Sequence, residues 1–316
     1  MFQLSFASLT PKNKPTLRAE QFFKEMKETI PWGKLENIVA PYYYSNKRGR
    51  PAYRLGLMIK IYCLQQWYNL GDLAMEEAIY DRLSFQKFLS IDLMLDPVPD
   101  ETTILNFRRL LEENQLQERL FYSMNKHLSK QGLIMKQGTI VDATIVRSPS
   151  STKNSEKKRD PEMSSTKKNG TYYFGMKTHI GVCHRSGLIH SMDVTTAKAP
   201  DNYSMPDLLH GEEEAVFGDK AYTNKKDKAL AREIGVFWGI SDRRGRGKKL
   251  SSKQKERNRK FSKVRAKVEH PFRVIKHLWG HGKTRYRGLY KNRCQMYMLC
   301  ALSNFYMARR KILAMS

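Results

Sequence analysis

Acidic residues are scarce in this chain: 31 Asp and Glu stand against 57 Lys and Arg, a formal net charge of +26 over 316 residues. That imbalance points to a polyanionic partner, because cations that neutralise phosphates release condensed counterions. Cysteine is sparse too. Cys63, Cys183, Cys294 and Cys300 lie far apart without a CxxC pair, so reduced, buried thiols in a cytoplasmic protein are expected rather than a disulfide or zinc framework. Long apolar runs are missing. The most apolar stretch, LGLMIKIYCLQQW from Leu55, is short and carries Lys60, so no membrane span is expected. MFQLSFASLTPKNK has neither the charged start nor the apolar run of a secretion signal. GxGxxG and P-loop patterns are absent, so nucleotide hydrolysis is not indicated, and no internal repeat is present.

What is there suffices for two compact domains or one large one, with 40% hydrophobic residues. Residues 1–50 read as an N-terminal arm: an amphipathic helix over 17–29, then a connector with Pro and Tyr that ends in the basic SNKRGRP. Residues 51–135 read as a helical domain. Leu55, Met58, Ile59, Tyr62 and Cys63 recur at helical spacing, as do Leu73, Glu77 and Tyr80 less regularly. In VPDETT, Asp100 or Thr102 can cap a long helix through Leu105, Phe107, Leu111 and Leu116. Tight turns between such helices suit a helix-turn-helix DNA reader. They suit a plain bundle for packing or dimerisation equally well. Trp67, Tyr68 and Tyr80 read as core.

At Lys136 the pattern changes from helix to strand. QGTIVDATIVRS is a buried strand, followed by a lysine-rich loop through SPSSTKNSEKKRDPEMSSTKKNG. YYFGMKTHIGVC and LIHSMDVTTA form a hairpin around HRSG, EAVFGDKAYT is a fourth strand, and VFWGIS is a fifth. Helices are expected over 223–234, closed by Gly235, around Glu269, and over 292–313. Residues 136–316 thus predict a mixed five-stranded α/β sheet with flanking helices and a basic insertion at 242–260.

Three acids in this region can carry chemistry. Asp142 lies mid-strand between Ile and Val, where an ionised carboxylate is costly unless it is paired or binds a metal. A structural ion pair with an arginine is the alternative. Asp219 in VFGDKAY ends a strand, where ligands gather in α/β sheets, although a turn or helix cap accounts for it as well. Glu269 sits in the very basic VRAKVEHPFRVIKH. If that segment is helical, Phe261, Val264, Val268, Phe272, Ile275 and Trp279 form an apolar stripe facing the sheet. Arg265, Glu269, Arg273 and Lys276 form a second stripe beside it, in which Arg265, Arg273 and Lys276 read as DNA contacts. A simple ion pair with Arg265 or Arg273 is the alternative for Glu269. Three carboxylates on two strands and a helix suit two Mg²⁺ ions about 4 Å apart, which take oxygen ligands and bridge phosphates.

DATIVRSPSST, YFGMKTHIGV, FGDKAY and above all RAKVEHPFRVIKHLWGHGKTRYRGLYKNRCQM resemble the IS5 group of bacterial insertion-sequence transposases, DDE enzymes with a ribonuclease-H-like fold. RGRPAYRLGLMIKIYCLQQWYNLGDLAMEEAIYDRLSFQKFL and VPDETTILNFRRLLE resemble the N-terminal region of the same enzymes, so the likeness is collinear from about Tyr42 onward. The resemblance implies a ribonuclease-H-like α/β catalytic domain preceded by an all-α domain. It places the three metal-binding carboxylates on Asp142, Asp219 and Glu269, and the accompanying cations on Arg265 and Lys276. One departure is Ser262, which stands where related transposases often carry tyrosine.

By that resemblance two Mg²⁺ ions per site, or Mn²⁺, activate water to free a 3′-OH at each transposon end. The 3′-OH then attacks target DNA without a covalent protein–DNA intermediate. The implied partner is double-stranded DNA, both transposon ends and target. The chain is expected to be at least a dimer on it, in the bacterial cytoplasm and associated with the nucleoid. A catalytically silent DNA-binding regulator and a metal-dependent nuclease are the alternatives. DRRGRGKKLSSKQKERNRKFSK, including Arg243, Arg244, Arg246, Lys248 and Lys249, has Asp242 and Glu256 as its only acids. It reads as a DNA-backbone contact that orders on binding, with a merely solvated loop as the alternative. The similar lysine-rich loop at 153–168 is open between the same two readings. His277 and His281 are spaced for zinc on a helix but have no third ligand at metal-site spacing, so zinc is not expected. His270, next to Glu269, is open between touching substrate and hydrogen-bonding locally, and the resemblance assigns it no role.

Overall fold

Helical periodicity becomes structure first at the N-terminal side of the chain. The computed structural model describes residues 17–43, 51–135, 137–168, 170–245 and 247–315. Most of the basic connector (44–50), Lys136 and Arg246 lie outside the described residues. Helix α1 (Arg18–Thr29) buries Phe23 and Met26. α2 (Trp32–Tyr43) replaces the irregular connector expected there: Leu35 and Val39 are buried, and Pro41 falls in the final turn, so the one helical hydrogen bond its missing N–H removes lies at the end of the helix. The described part of the expected arm is therefore two packed helices, α1 lying on α12 (Leu289–Leu313) and α2 on α3 (Leu55–Tyr68).

α3 is buried on almost every side, with only Gly56, Lys60 and Tyr68 partly exposed. That fits a helix apolar all round. Around it stand α4 (Asp72–Asp81), α5 (Leu83–Leu89), α6 (Glu101–Glu113) and α7 (Leu116–Lys130). Asp100 caps α6 by accepting from the Thr103 N–H at 2.6 Å. α4 buries Met75, Ala78 and Ile79 instead of the expected face. Leu73 and Tyr80 lie outside, 55% and 53% exposed, so Tyr80 is not a core residue. The cause is a stripe of 75, 78 and 79, against which residue 80 points away. Among the described residues no helix is long and apolar enough to cross a membrane.

The sheet is built from β1 (Gly138–Arg147), β2 (Ser164–Lys168), β3 (Thr171–Cys183), β4 (Ile189–Thr196), β5 (Ala215–Gly218) and β6 (Phe237–Ile240). β1 pairs antiparallel with β3 and parallel with β5, which pairs parallel with β6. β2 and β4 lie end to end on the outer edge of the long β3. All five expected strands are present, and β2 is a sixth within the expected loop. Its Ser-Ser-Thr-Lys-Lys sequence has no apolar alternation, so it is held by ladder pairing with 171–175 rather than by burial.

Helices α8 (Met205–Leu208) and α9 (Lys225–Glu233) follow on the way through the sheet, with Gly235 in the left-handed conformation just past α9. α10 (Ser252–Arg265) continues through a 3-10 turn at Ala266–Val268 into α11 (Glu269–Arg273). Half of the basic insertion is thus already helical, in place of a loop that orders only on binding. A reciprocal cap of Ser251 with Gln254 starts it. Asp242 staples the preceding segment to α10: its carboxylate accepts from Arg257 at 2.8 Å, and its main chain makes hydrogen bonds of 2.8 and 3.1 Å with the Asn258 amide.

The long α12 ties the helical part to the sheet. The Asn304 side chain accepts from the Ile189 N–H at 2.8 Å and donates back to the Ile189 carbonyl at 2.6 Å, completing the start of β4 as a further strand would. Arg108 in α6 is buried between Glu112 and Asp72, at 3.0 and 3.1 Å, with the Tyr286 ring 4.4 Å from its guanidinium carbon.

Three histidines are kept neutral. His179 faces Thr195 Oγ1 at 2.8 Å and His281 faces the Gln66 carbonyl at 2.7 Å. Burial pushes both rings down to about 4, and His190 to about 3. Below pH 6.5 the unfolded chain therefore takes up protons that the folded chain refuses. The stability they contribute is full above pH 6.5 and falls as pH drops toward 4, by up to about 1.4 kcal/mol per pH unit for each ring. Thermal melts across that range are expected to show a progressive loss, and His281→Gln a shallower one. A melting temperature independent of pH between 6.5 and 4 contradicts this assignment.

Candidate active site

Parallel pairing of β1 with β5 brings two of the acids together. Ile140 is opposite Phe217. Two steps farther along that register the chain reaches Asp142 on β1 and Asp219 just past the end of β5, on the side of the sheet where ligands gather. Asp142 Oδ1 accepts from the Ala143 N–H at 2.9 Å, and no arginine stands at ion-pair distance among the described residues. Burial pushes its carboxyl up to about 6, against the Ala143 N–H and Arg265, which favour the anion, while Glu269 and Asp219 add to the rise. Asp219 is indeed a cap: Oδ1 accepts from the Ala221 N–H at 2.7 Å and starts a 3-10 turn at Lys220–Tyr222. Its other oxygen has no hydrogen bond among the described residues.

The third acid comes from the helical path. Val268, Phe272, Ile275 and Trp279 are buried and anchor it, while Phe261 and Val264 of the expected stripe are only partly buried. Arg265, Glu269, Arg273 and Lys276 turn together into a cavity of about 530 Å³ that Asp142 and Asp219 also line. The path is not one regular helix. A 3-10 turn precedes Glu269 and a π-helical turn occupies Val274–Leu278, a form of winding frequent at functional sites. Glu269 makes no ion pair with Arg265 or Arg273 among the described residues, so the simple salt-bridge account of it does not hold. Lys276 Nζ donates to Thr144 Oγ1 at 3.0 Å and to the Ile145 carbonyl at 2.9 Å. Burial, then Lys168 and Arg147, lower its pKa.

A second, larger cavity of about 1320 Å³ shares Asp219 and Arg265 with the first. Arg243, Arg244, Lys248 and Lys249 line it, as does Ser262. Arg246 lies outside the described residues.

The donor set fits hard divalent cations: three carboxylates in one cavity, one of them desolvated and another with an uncommitted oxygen. Among the described residues no three acidic, histidine or cysteine side chains already form a metal cage.

Sequence reasoning missed several residues at this site. Thr144 was findable, since it is two residues from Asp142 and on the same face of the strand. Lys168 lines the cavity from β2, whose sequence carries no strand signal. His270 and His277 line the cavity as well. Tyr222 is fully buried with its hydroxyl unpartnered, and burial together with Asp142 pushes its pKa up.

Residues 134–305, more than half of the chain, match the family model described as "Transposase DDE domain". Residues 11–110 match the one described as "Transposase domain (DUF772)".

The raised pKa of Asp142 has a stability consequence. A carboxyl that holds its proton up to about 6 when folded, against 3.8 ordinarily, contributes stability below 3.8 that is lost as pH rises through 6. Asp142→Asn removes the buried charge and keeps an acceptor for the Ala143 N–H. At pH 7.5 with a chelator present it is expected to be more stable than the parent by up to about 3 kcal/mol, and at pH 4 no more stable. Paired thermal melts at the two pH values measure this; a less stable variant at pH 7.5 contradicts it.

Proposed function

This chain belongs to the DDE transposase family, and on that premise we propose that it binds the terminal inverted repeats of an insertion sequence, cuts the phosphodiester at each end and joins the freed 3′-OH to target DNA. The observation that carries the proposal is the convergence of Asp142, Asp219 and Glu269 on one cavity with cations on its rim. The strand order, with β3 and β4 antiparallel on one side of β1 and β5 and β6 parallel on the other, supports the ribonuclease-H-like fold. The motifs around Asp142, Asp219 and Glu269 support the IS5 group.

Two Mg²⁺ ions, or Mn²⁺ in their place, would be held by Asp142, Asp219 and Glu269 and would supply Lewis acidity at the phosphate being cut. The chain's own residues do the positioning. Arg265 and Arg273 neutralise phosphate charge on the Glu269 side, with Lys276 in the cavity wall. Arg243, Arg244, Lys248 and Lys249 hold a strand backbone in the adjoining cavity, and Arg246 belongs to the same basic segment. Such contacts set register and orientation without reading sequence. In-line displacement needs that register, because the attacking and leaving oxygens must be aligned on one phosphorus. Ser262 offers a shorter polar group than tyrosine in the wall shared with Arg265.

In this reading residues 51–135 contribute DNA binding and dimerisation and residues 136–316 the chemistry. The working form is at least a dimer on double-stranded DNA, in the cytoplasm at the nucleoid.

The test is a plasmid carrying the inverted repeats that flank the coding sequence, incubated with the protein and Mg²⁺. Joined products are expected. Nicks without joining indicate a nuclease, and shifted but uncut DNA indicates a regulator. Asp142→Asn is expected to abolish cutting and joining with DNA affinity nearly unchanged; loss of affinity would make the residue structural. Arg243→Ala and Arg244→Ala are expected to weaken binding to all sequences and to lower the salt slope of binding by about 1 each.

A further inference from the structure

Two lysines share one end of the carboxylate cavity, and they differ in what their ammonium groups already hold. Two of the three N–H groups of Lys276 are committed to β1, one to Thr144 Oγ1 and one to the Ile145 carbonyl. Lys168, at the last position of β2, is exposed and has no ion pair or hydrogen bond among the described residues. It lines the same cavity as the three acids.

Building on the transposase reading, we propose that Lys168 is a further cation that meets the DNA phosphate in this cavity, beside Arg265 and Arg273, and that Lys276 is a positioning residue which, through Thr144, braces the Glu269 helix against the strand carrying Asp142. Thr144 shares a face of β1 with Asp142, and Lys276 shares a face of its helical path with Glu269. The bond between them joins the supports of two of the acids just beyond the acids themselves. Between Glu269 and Lys276 the path enters the π-helical turn at Val274. Such a turn alters the rotational phase of the residues after it, so the brace fixes what regular helical winding leaves free.

The position of Lys168 is fixed independently. Its residue is opposite Thr171 in the β2–β3 ladder, at the mouth of a turn containing Gly170 at φ +82°. Core packing gives no reason for β2 to exist, since none of its residues is fully buried. Delivering an ammonium group to the cavity does. A compact ammonium suits a non-bridging phosphate oxygen, for which no bidentate geometry is needed.

The experiment uses the full chain, Mg²⁺ and a duplex containing one flanking inverted repeat, with kcat, KM and melting temperature read for each variant. Lys168→Gln is expected to raise KM about tenfold and to reduce the salt slope of binding by about 1, at unchanged melting temperature. Lys168→Arg should recover most of that loss. Thr144→Val and Lys276→Met are expected to lower kcat and melting temperature with KM near the parent value, and Thr144→Ser to restore both. A Lys168→Gln protein with the parent's KM and salt slope overturns the proposal. So does a Lys276→Met protein that changes KM alone. A parent chain that binds the duplex but never cuts it overturns the transposase reading instead, and Lys168 is then decided by affinity and salt slope alone.

Discussion

Bringing three carboxylates to one cavity is the constraint on which the rest of this structure depends. Burial resists ionisation and neighbouring like charges add to that resistance; Asp142 shows the cost in a carboxyl that burial, with Glu269 and Asp219 adding to it, pushes up to about 6. The protein meets that cost with stiffness and with cations. β1 and β5 supply stiffness through a ladder that carries Asp142 and Asp219 to neighbouring positions. Four buried side chains, Val268, Phe272, Ile275 and Trp279, anchor the third support in the core beside α12 and β1. Cations supply the rest, from Arg265 and Arg273 beside Glu269 to the Asp242-stapled segment that borders the second cavity. The surplus of positive charge is therefore organised around a small negative centre.

Much of this was readable from residue order, because it rests on local signals. Alternation and β-branching marked β1, β3 and β4; a glycine marked the end of α9; the spacing of Val268, Phe272, Ile275 and Trp279 marked the buried side of the Glu269 path. The motifs that resemble known transposases marked the same three acids, and their residues do line one cavity. What escaped had no local signal. β2 exists through pairing with β3, and its own residues would suit any solvated loop. α2 hides behind Pro41, whose usual meaning is a break, since the burial of Leu35 and Val39 is visible only once α3 and α7 are in place. Tyr80 looked apolar enough for a core, but the rotation of α4 is set by Met75, Ala78 and Ile79. Asp219 illustrates a different limit. Capping and ligand geometry are both open to an aspartate at a strand end, and here the capping bond uses only one of its oxygens.

The helical part contributes more than a separate layer. α1 lies on α12, α12 on β4 and α7, and the cluster of buried Arg108 and Glu112 with partly buried Asp72 reaches Tyr286 beyond the Glu269 path. A buried ion cluster gives little net stability but punishes disruption severely. The arrangement therefore specifies one docking of helices on sheet more than it strengthens it.

Asp219 and Arg265 form a party wall between two chambers. The same guanidinium that steadies the Asp142 anion also faces the larger, basic room. A polyanion in that room would draw on the same guanidinium, so occupancy of one chamber and ionisation of the acid in the other would be linked in both directions.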